Sequence, residues 1–197
     1  MSKQRLVFVD VDTQFDFMDP KGSLYVPGAI DIVPNLQKLT EYAKSRGILV
    51  VASVDAHRST DPEFVKFPPH CIAGTEGQKK IPATEIEPAY TIDAEISDFS
   101  LPEMGSVVLE KTVFSLFGNK NAEQVFKRLS PDKLVVFGVA TDYCVKAAAI
   151  GLAERGYDVA LVTDAVSSVT QEGGVAALDE MQKAGVEMVK TLDVLSW

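Results

Sequence analysis

Short β-branched runs, spaced by stretches of helical period, limit what this chain can fold into more than any other feature. The runs fall at residues 6–11, 48–54, 106–109, 133–137, 158–162 and 186–189, and most are apolar at nearly every position. A strand with one solvated face alternates polar and apolar residues, whereas a run apolar throughout suits a strand covered on both faces, as in parallel sheets. Between the runs the period changes. Ile32, Leu36, Leu39 and Ala43 recur at helix spacing, with Asp31 as the expected N-cap and Gly47 as the stop. Residues 122–129, 144–154 and 175–184 read in the same way, the last two closed by Gly156 and Gly185. Six strands alternating with helices predict an α/β fold: a three-layer α/β/α sandwich on a mostly parallel, doubly wound six-stranded sheet.

With 197 residues, the chain is expected to form one domain over residues 1–197 with a full core. Its formal charge of −9, from 28 acids against 19 bases, argues against a nucleic-acid partner, which would call for a basic stripe. No apolar stretch approaches the 18 or so residues of a membrane span, and the N-terminal run is too short and too acidic for a signal peptide. Two distant cysteines, Cys71 and Cys144, make no disulfide framework. A reduced, cytoplasmic location is the resulting expectation, with a homo-oligomer allowed; the charge itself identifies no partner.

One stretch breaks the strand–helix rhythm. Residues 55–105 show no convincing strand, are punctuated by prolines, and contain both histidines of the protein. A loop of that length in a compact domain is usually functional or disordered. Open α/β sheets bind ligands at the carboxyl ends of their strands. Asp12, Asp55, Lys111 and the 138–144 loop should all lie there. In the segment Gly138–Cys144 (GVATDYC), Thr141 or Asp142 would cap the following helix and place Cys144 at its first turn. There the helix dipole favours thiolate, and free N–H groups can hold an oxyanion. A buried structural cysteine is the plain alternative. In Val9–Phe17 (VDVDTQFDF), alternation puts Asp10 and Asp12 on one face, and either carboxylate could move a thiol proton. Asp16 and Asp19 read as loop caps. Lys111 is by default a solvated lysine, but beside Asp12 and Cys144 it would favour their anions. Asp55, His57, Glu63 and His70 form a nitrogen and oxygen set suited to zinc, iron or manganese, although surface histidines are common.

Together these motifs resemble the nicotinamidase branch of the isochorismatase-like cysteine hydrolases, over nearly the whole chain. The family's D-x-Q-x-D-F reads Asp12 to Phe17, its D-x-H reads Asp55-Ala56-His57, and its P-x-H-C-x-x-G-T-x-G reads Pro68 to Gly77. Its lysine falls on Lys111, followed by Phe114-Ser115-Leu116-Phe117, and G-x-A-T-D-x-C is met in full by Gly138 to Cys144. The resemblance implies the isochorismatase-like hydrolase fold and selects Asp12 over Asp10 as acid–base. With it come Cys144 as nucleophile, Lys111 as their partner, and an oxyanion site at the N–H groups of Ala140 and Cys144 beside a cis Val139–Ala140 peptide. It further implies one divalent ion on Asp55, His57, Glu63 and His70, zinc foremost with iron or manganese as alternatives. Phe17 and Phe67 would flank the substrate ring next to Tyr143. The implied reaction is hydrolysis of nicotinamide to nicotinate and ammonia through a cysteine thioester, a step of pyridine nucleotide salvage. A related amidase for a carbamoyl or ureide-type amide is the runner-up. Isochorismatases proper typically lack the nucleophilic cysteine, and a non-catalytic binding module would have no use for the complete triad.

Overall fold

The computed structural model describes residues 5–197. Seven strands form one parallel sheet: β1 (Leu6–Val11), β2 (Leu49–Asp55), β3 (Ala89–Ile92), β4 (Ser106–Lys111), β5 (Lys133–Val139), β6 (Val159–Ser167) and β7 (Glu187–Val189). Their spatial order is β3-β4-β2-β1-β5-β6-β7, and every neighbouring pair is parallel. The helices are α1 (Phe15–Met18), α2 (Ala29–Arg46), α3 (Ala122–Leu129), α4 (Lys146–Ala153), α5 (Gln171–Lys183) and α6 (Thr191–Leu195).

Alternation along the strands divides the core into two. Val7, Val9 and Val11 of β1 pack with residues of α3, α4 and α5, whereas Phe8 points the other way into a cluster with α1, α2 and α6. Both faces of the sheet are therefore dry, which is why its strands are apolar throughout. The predicted three-layer α/β/α sandwich is the observed one.

The sheet has one strand more than the six expected. β3 lies inside the stretch read as strandless, pairing only with β4 at the sheet edge. Three of its four residues are exposed, so it has no buried run to betray it. Helix starts also differ. Gly28, at φ 75°, precedes α2, so Asp31 lies within the first turn and is not the N-cap. The predicted stop at Gly47 is observed in left-handed conformation at φ 62°. The expected 144–154 helix is α4 preceded by a π-helical turn, Thr141–Val145.

Chain order and sheet order together fix where a site can form. From β1 the chain moves to β2 on one side and later returns to β5 on the other, so the sheet's direction of winding reverses between β1 and β5. A crevice opens at the carboxyl ends of strands at such a point. Asp12 follows β1 and the Thr141–Val145 turn follows β5.

Candidate active site

β1 ends at Val11, and Asp12 turns out of the strand in the left-handed region at φ 50°. This turn overrides the alternation that put Asp10 and Asp12 on one face. Asp10 is instead held by the hydroxyl of Thr13 and paired with Lys80. The Asp12 carboxylate accepts a hydrogen bond from Ser53 Oγ at 2.7 Å and pairs with Lys111 Nζ at 2.8 Å. Lys111 is 1% exposed, not the solvated lysine of the default reading. Its ammonium lies 2.5 Å from Asp55 Oδ1 and donates to Cys144 Sγ at 3.7 Å. The ammonium thus hydrogen-bonds Asp55 and Cys144 and forms an ion pair with Asp12, gathering side chains from the ends of β1 and β2 and from the turn after β5.

These charges set the protonation of the cluster. Burial pushes the Asp12 carboxyl above the usual carboxylate range, against the pull of Lys111. Burial also acts upward on Asp55, but Lys111 and His57 outweigh it and hold Asp55 below its ordinary value. Burial drives the Cys144 thiol well up, the Lys111 charge opposing and the Asp12 and Asp55 carboxylates reinforcing. The expected resting thiolate is therefore corrected to a thiol. Lys111 shares its charge with Asp55, and the neighbouring Asp12 and Asp55 carboxylates favour the protonated form. The predicted cap is also absent: no side chain caps the turn at Ala140, and Asp142 accepts from the N–H groups of Val169 and Thr170 instead. The Val139–Ala140 peptide is cis, as the resemblance implied.

A second set of groups adjoins Asp55. His57 and the 70–73 segment lie side by side, with His57 N–H donating to Cys71 O and Ala73 N–H to His57 O. This pairing holds the imidazoles of His57 and His70 at a centroid separation of 4.8 Å. Asp55, His57 and His70 are all buried, and each offers a ligand atom within 4.8 Å of the others. His70 Nδ1 lies 2.8 Å from Pro68 O, which assigns its proton and leaves Nε2 with a free lone pair. Neither nitrogen of buried His57 has an aligned hydrogen-bond partner among the described residues. Burial lowers the His57 pKa, yet Asp55 and Asp61 raise it further, to about 8, so the surroundings favour a positive charge there. Orphaned imidazole nitrogens in an electronegative pocket beside a carboxylate fit a divalent cation. Glu63 lines the cavity above but groups with His57 and Asp61, not with Asp55 and His70.

Two side chains of the first loop brace these groups. The Gln14 amide accepts from Asp55 N–H at 2.7 Å and donates to Asp55 O at 2.8 Å. Asp16 accepts from Cys71 N–H at 2.7 Å and from Ser23 N–H at 3.0 Å, the loop-capping role expected of it.

The cavity of about 90 Å³ above these groups is lined by Asp12, Asp55, Glu63, His70, Ala140 and Cys144. Its walls include the three expected aromatics, Phe17, Phe67 and Tyr143. Lys111 and His57 sit beneath the lining. Phe114 was missed as a wall residue, although the aromatic-Ser-x-Phe segment contained it; it packs edge-on against Tyr143 at 5.3 Å and Phe67 at 6.2 Å. Leu24, Tyr25, Val26 and Val169 also line the cavity with no sequence signal that marked them.

Residues 6–193 match the family described as Isochorismatase domain. A protein named probable inactive nicotinamidase from Arabidopsis thaliana is 29% identical over 90% of this chain and 88% of its own. The nicotinamidase/pyrazinamidase of Mycobacterium tuberculosis is 29% identical over 91% and 95%. The N-carbamoylsarcosine amidase of an Arthrobacter species is 30% identical over 72% of this chain and 52% of its own. Among solved structures, pyrazinamidase of Pyrococcus horikoshii in complex with zinc superposes with a TM-score of 0.79 at 28% identity, covering 94% of this chain and 99% of that one.

Proposed function

Given that the chain belongs to the isochorismatase domain family and is one of its hydrolases, we propose that it hydrolyses a small aromatic amide, nicotinamide, to nicotinate and ammonia through a cysteine thioester. The observation that carries this reading is the Lys111 ammonium in contact at once with Asp12, Asp55 and Cys144 beside an aromatic-walled cavity. One buried cation thereby joins a proton carrier, a thiol and a candidate metal ligand.

In this reading Asp12 takes the thiol proton of Cys144 as sulfur attacks the amide carbonyl carbon. The raised pKa of Asp12 suits a group that must accept a proton and give it back. Lys111 holds the charge that passes between carboxylate and sulfur. The N–H groups of Ala140 and Cys144 hold the oxyanion. The C–N bond breaks as Asp12 returns the proton to departing ammonia, leaving an acyl–sulfur bond. Water then attacks the acyl carbon as Asp12 takes its proton, the carbon–sulfur bond breaks to release the acid, and Asp12 passes that proton to sulfur, restoring the Cys144 thiol. Asp55, His57 and His70, with Glu63 at the rim, would hold a divalent ion, zinc foremost, that offers a Lewis acid to a ring nitrogen. Phe17, Phe67, Tyr143 and Phe114 supply flat apolar walls for the ring.

The relative that acts on N-carbamoylsarcosine favours a second reading, an amidase for carbamoyl compounds. The aromatic walls weigh against it, since a ureide presents no ring to pack. Ammonia release from nicotinamide, benzamide and N-carbamoylsarcosine separates the two. Nicotinamide should give the highest kcat/KM, and chelator treatment should reduce its advantage over benzamide. A faster carbamoyl substrate would overturn the nicotinamide assignment while retaining the amidohydrolase, and no ammonia from any of the three would sink both readings.

A further inference from the structure

His57 presents two buried nitrogens to two different carboxylates. Nε2 lies 3.7 Å from Asp55 Oδ2, on the side of His70. Nδ1 lies 3.1 Å from Asp61 Oδ2, within reach of a hydrogen bond though not aligned for one. A metal can take only one nitrogen of a neutral imidazole, and the other then carries the proton. Asp61 is itself anchored: its Oδ1 accepts from Glu63 N–H at 2.9 Å, starting the turn Pro62–Val65. Its two oxygens therefore face two tasks, one toward the turn that carries Glu63 and one toward the His57 ring.

We propose that Asp61 is a positioning residue for the metal centre: it accepts the hydrogen bond of His57 Nδ1–H, fixing the tautomer that leaves Nε2 free beside Asp55 and His70. This rests on the metal reading given above but not on the identity of the amide. A carboxylate behind a ligating imidazole orients the ring and raises its basicity, and loss of such a partner typically costs about 10–100-fold in metal affinity. Asp61 lies between His57 and Glu63 in the sequence but was not singled out there as a site residue. It is found only from the place its turn brings it to.

Three variants separate positioning from mere turn capping. Asp61→Asn keeps an oxygen for the ring proton and one side chain long enough to reach it. Asp61→Ser keeps a good cap for the Glu63 N–H but is too short to reach His57. Asp61→Ala keeps neither. Zinc affinity, measured on the full chain by competition with a chromophoric chelator, should weaken about 10–100-fold for Asp61→Ser and Asp61→Ala and clearly less for Asp61→Asn, whose single neutral oxygen can still face the ring but not both the ring and the turn. Nitrogen-15 spectra of the zinc-loaded wild type should show His57 protonated on Nδ1, and that signature should broaden or shift in Asp61→Ser. Wild-type zinc affinity in Asp61→Ser would reduce Asp61 to a cap and overturn the proposal. So would protonation of His57 on Nε2, two zinc ions per chain with one lost in Asp61→Asn, or no zinc binding by the wild type. Because the readout is metal binding, an inactive protein with the expected affinities would remove the nicotinamide reading and leave this one standing.

Discussion

Asp12 shows how a single residue can cost stability where it is needed for chemistry. Its carboxyl pKa is raised, chiefly by burial. A group that holds its proton more tightly folded than unfolded adds stability below its unfolded pKa, and that contribution is lost as pH rises through the folded value. From about pH 4 upward, near the ordinary value of an aspartate, ionised Asp12 therefore works against the fold. Asp12→Asn should abolish amide hydrolysis and yet melt at or above the wild-type temperature at pH 7, with the difference growing between pH 4 and 7. Thermal melts of both proteins across that range check it, and a variant that melts several degrees lower at pH 7 would refute the burial account. Cys144→Ser should lose activity by about 10³-fold or more with little change in melting temperature, since it swaps one small buried group for another. The roles proposed for Asp12, Lys111 and Cys144 could be read from motifs because chemistry restricts residue type. Their protonation could not, because it depends on Asp55 and Lys111 meeting across strands β2 and β4, which spacing along the chain does not reveal.

Among the elements, β1 and β5 approach so closely at the site that a side chain is excluded. Gly138 pairs with Val11 in the sheet, has φ 118°, and a Cβ there would fall 2.1 Å from the Val11 carbonyl oxygen. Gly138→Ala should destabilise the protein by several kcal/mol, through backbone strain plus a clash that only strand movement relieves. Gly47→Ala, left-handed but with open space around its Cβ, should cost only about 1 kcal/mol. Urea unfolding of the pair tests this ordering, and equal costs would show that the strand contact yields. The buried strands were legible because dryness on both faces leaves an unbroken apolar run. β3 was not, because an exposed edge strand has no such run. The π-helical turn was hidden for another reason: it differs from an α-helical turn in the partner of its hydrogen bonds, and Val145 N–H reaches back to Ala140 O. The expected cap failed because Asp142 is drawn to the N–H groups of a distant segment, residues 169–170, which local sequence cannot anticipate.

At the scale of the whole molecule, the proposed metal ties β2 to the long connection that follows it. Ligands from Asp55 and from His70 belong to parts of the chain that in the unfolded state would not hold one ion together. Zinc at about 100 times its dissociation constant should add ~2.7 kcal/mol of stability. In a domain of this length that raises the melting temperature by about 5–10 °C. Calorimetry with and without zinc reads the shift, which should disappear in His57→Ala with His70→Ala; an unchanged melting temperature in the wild type would argue against binding to the folded state. Lys111 has a consequence of a different kind. Because its ammonium is completed by residues just after β1, at the end of β2 and in the turn after β5, while its own backbone belongs to β4, no contiguous fragment shorter than most of the sheet can assemble the cluster. During synthesis the cluster therefore cannot close until β5 and the turn after it have left the ribosome.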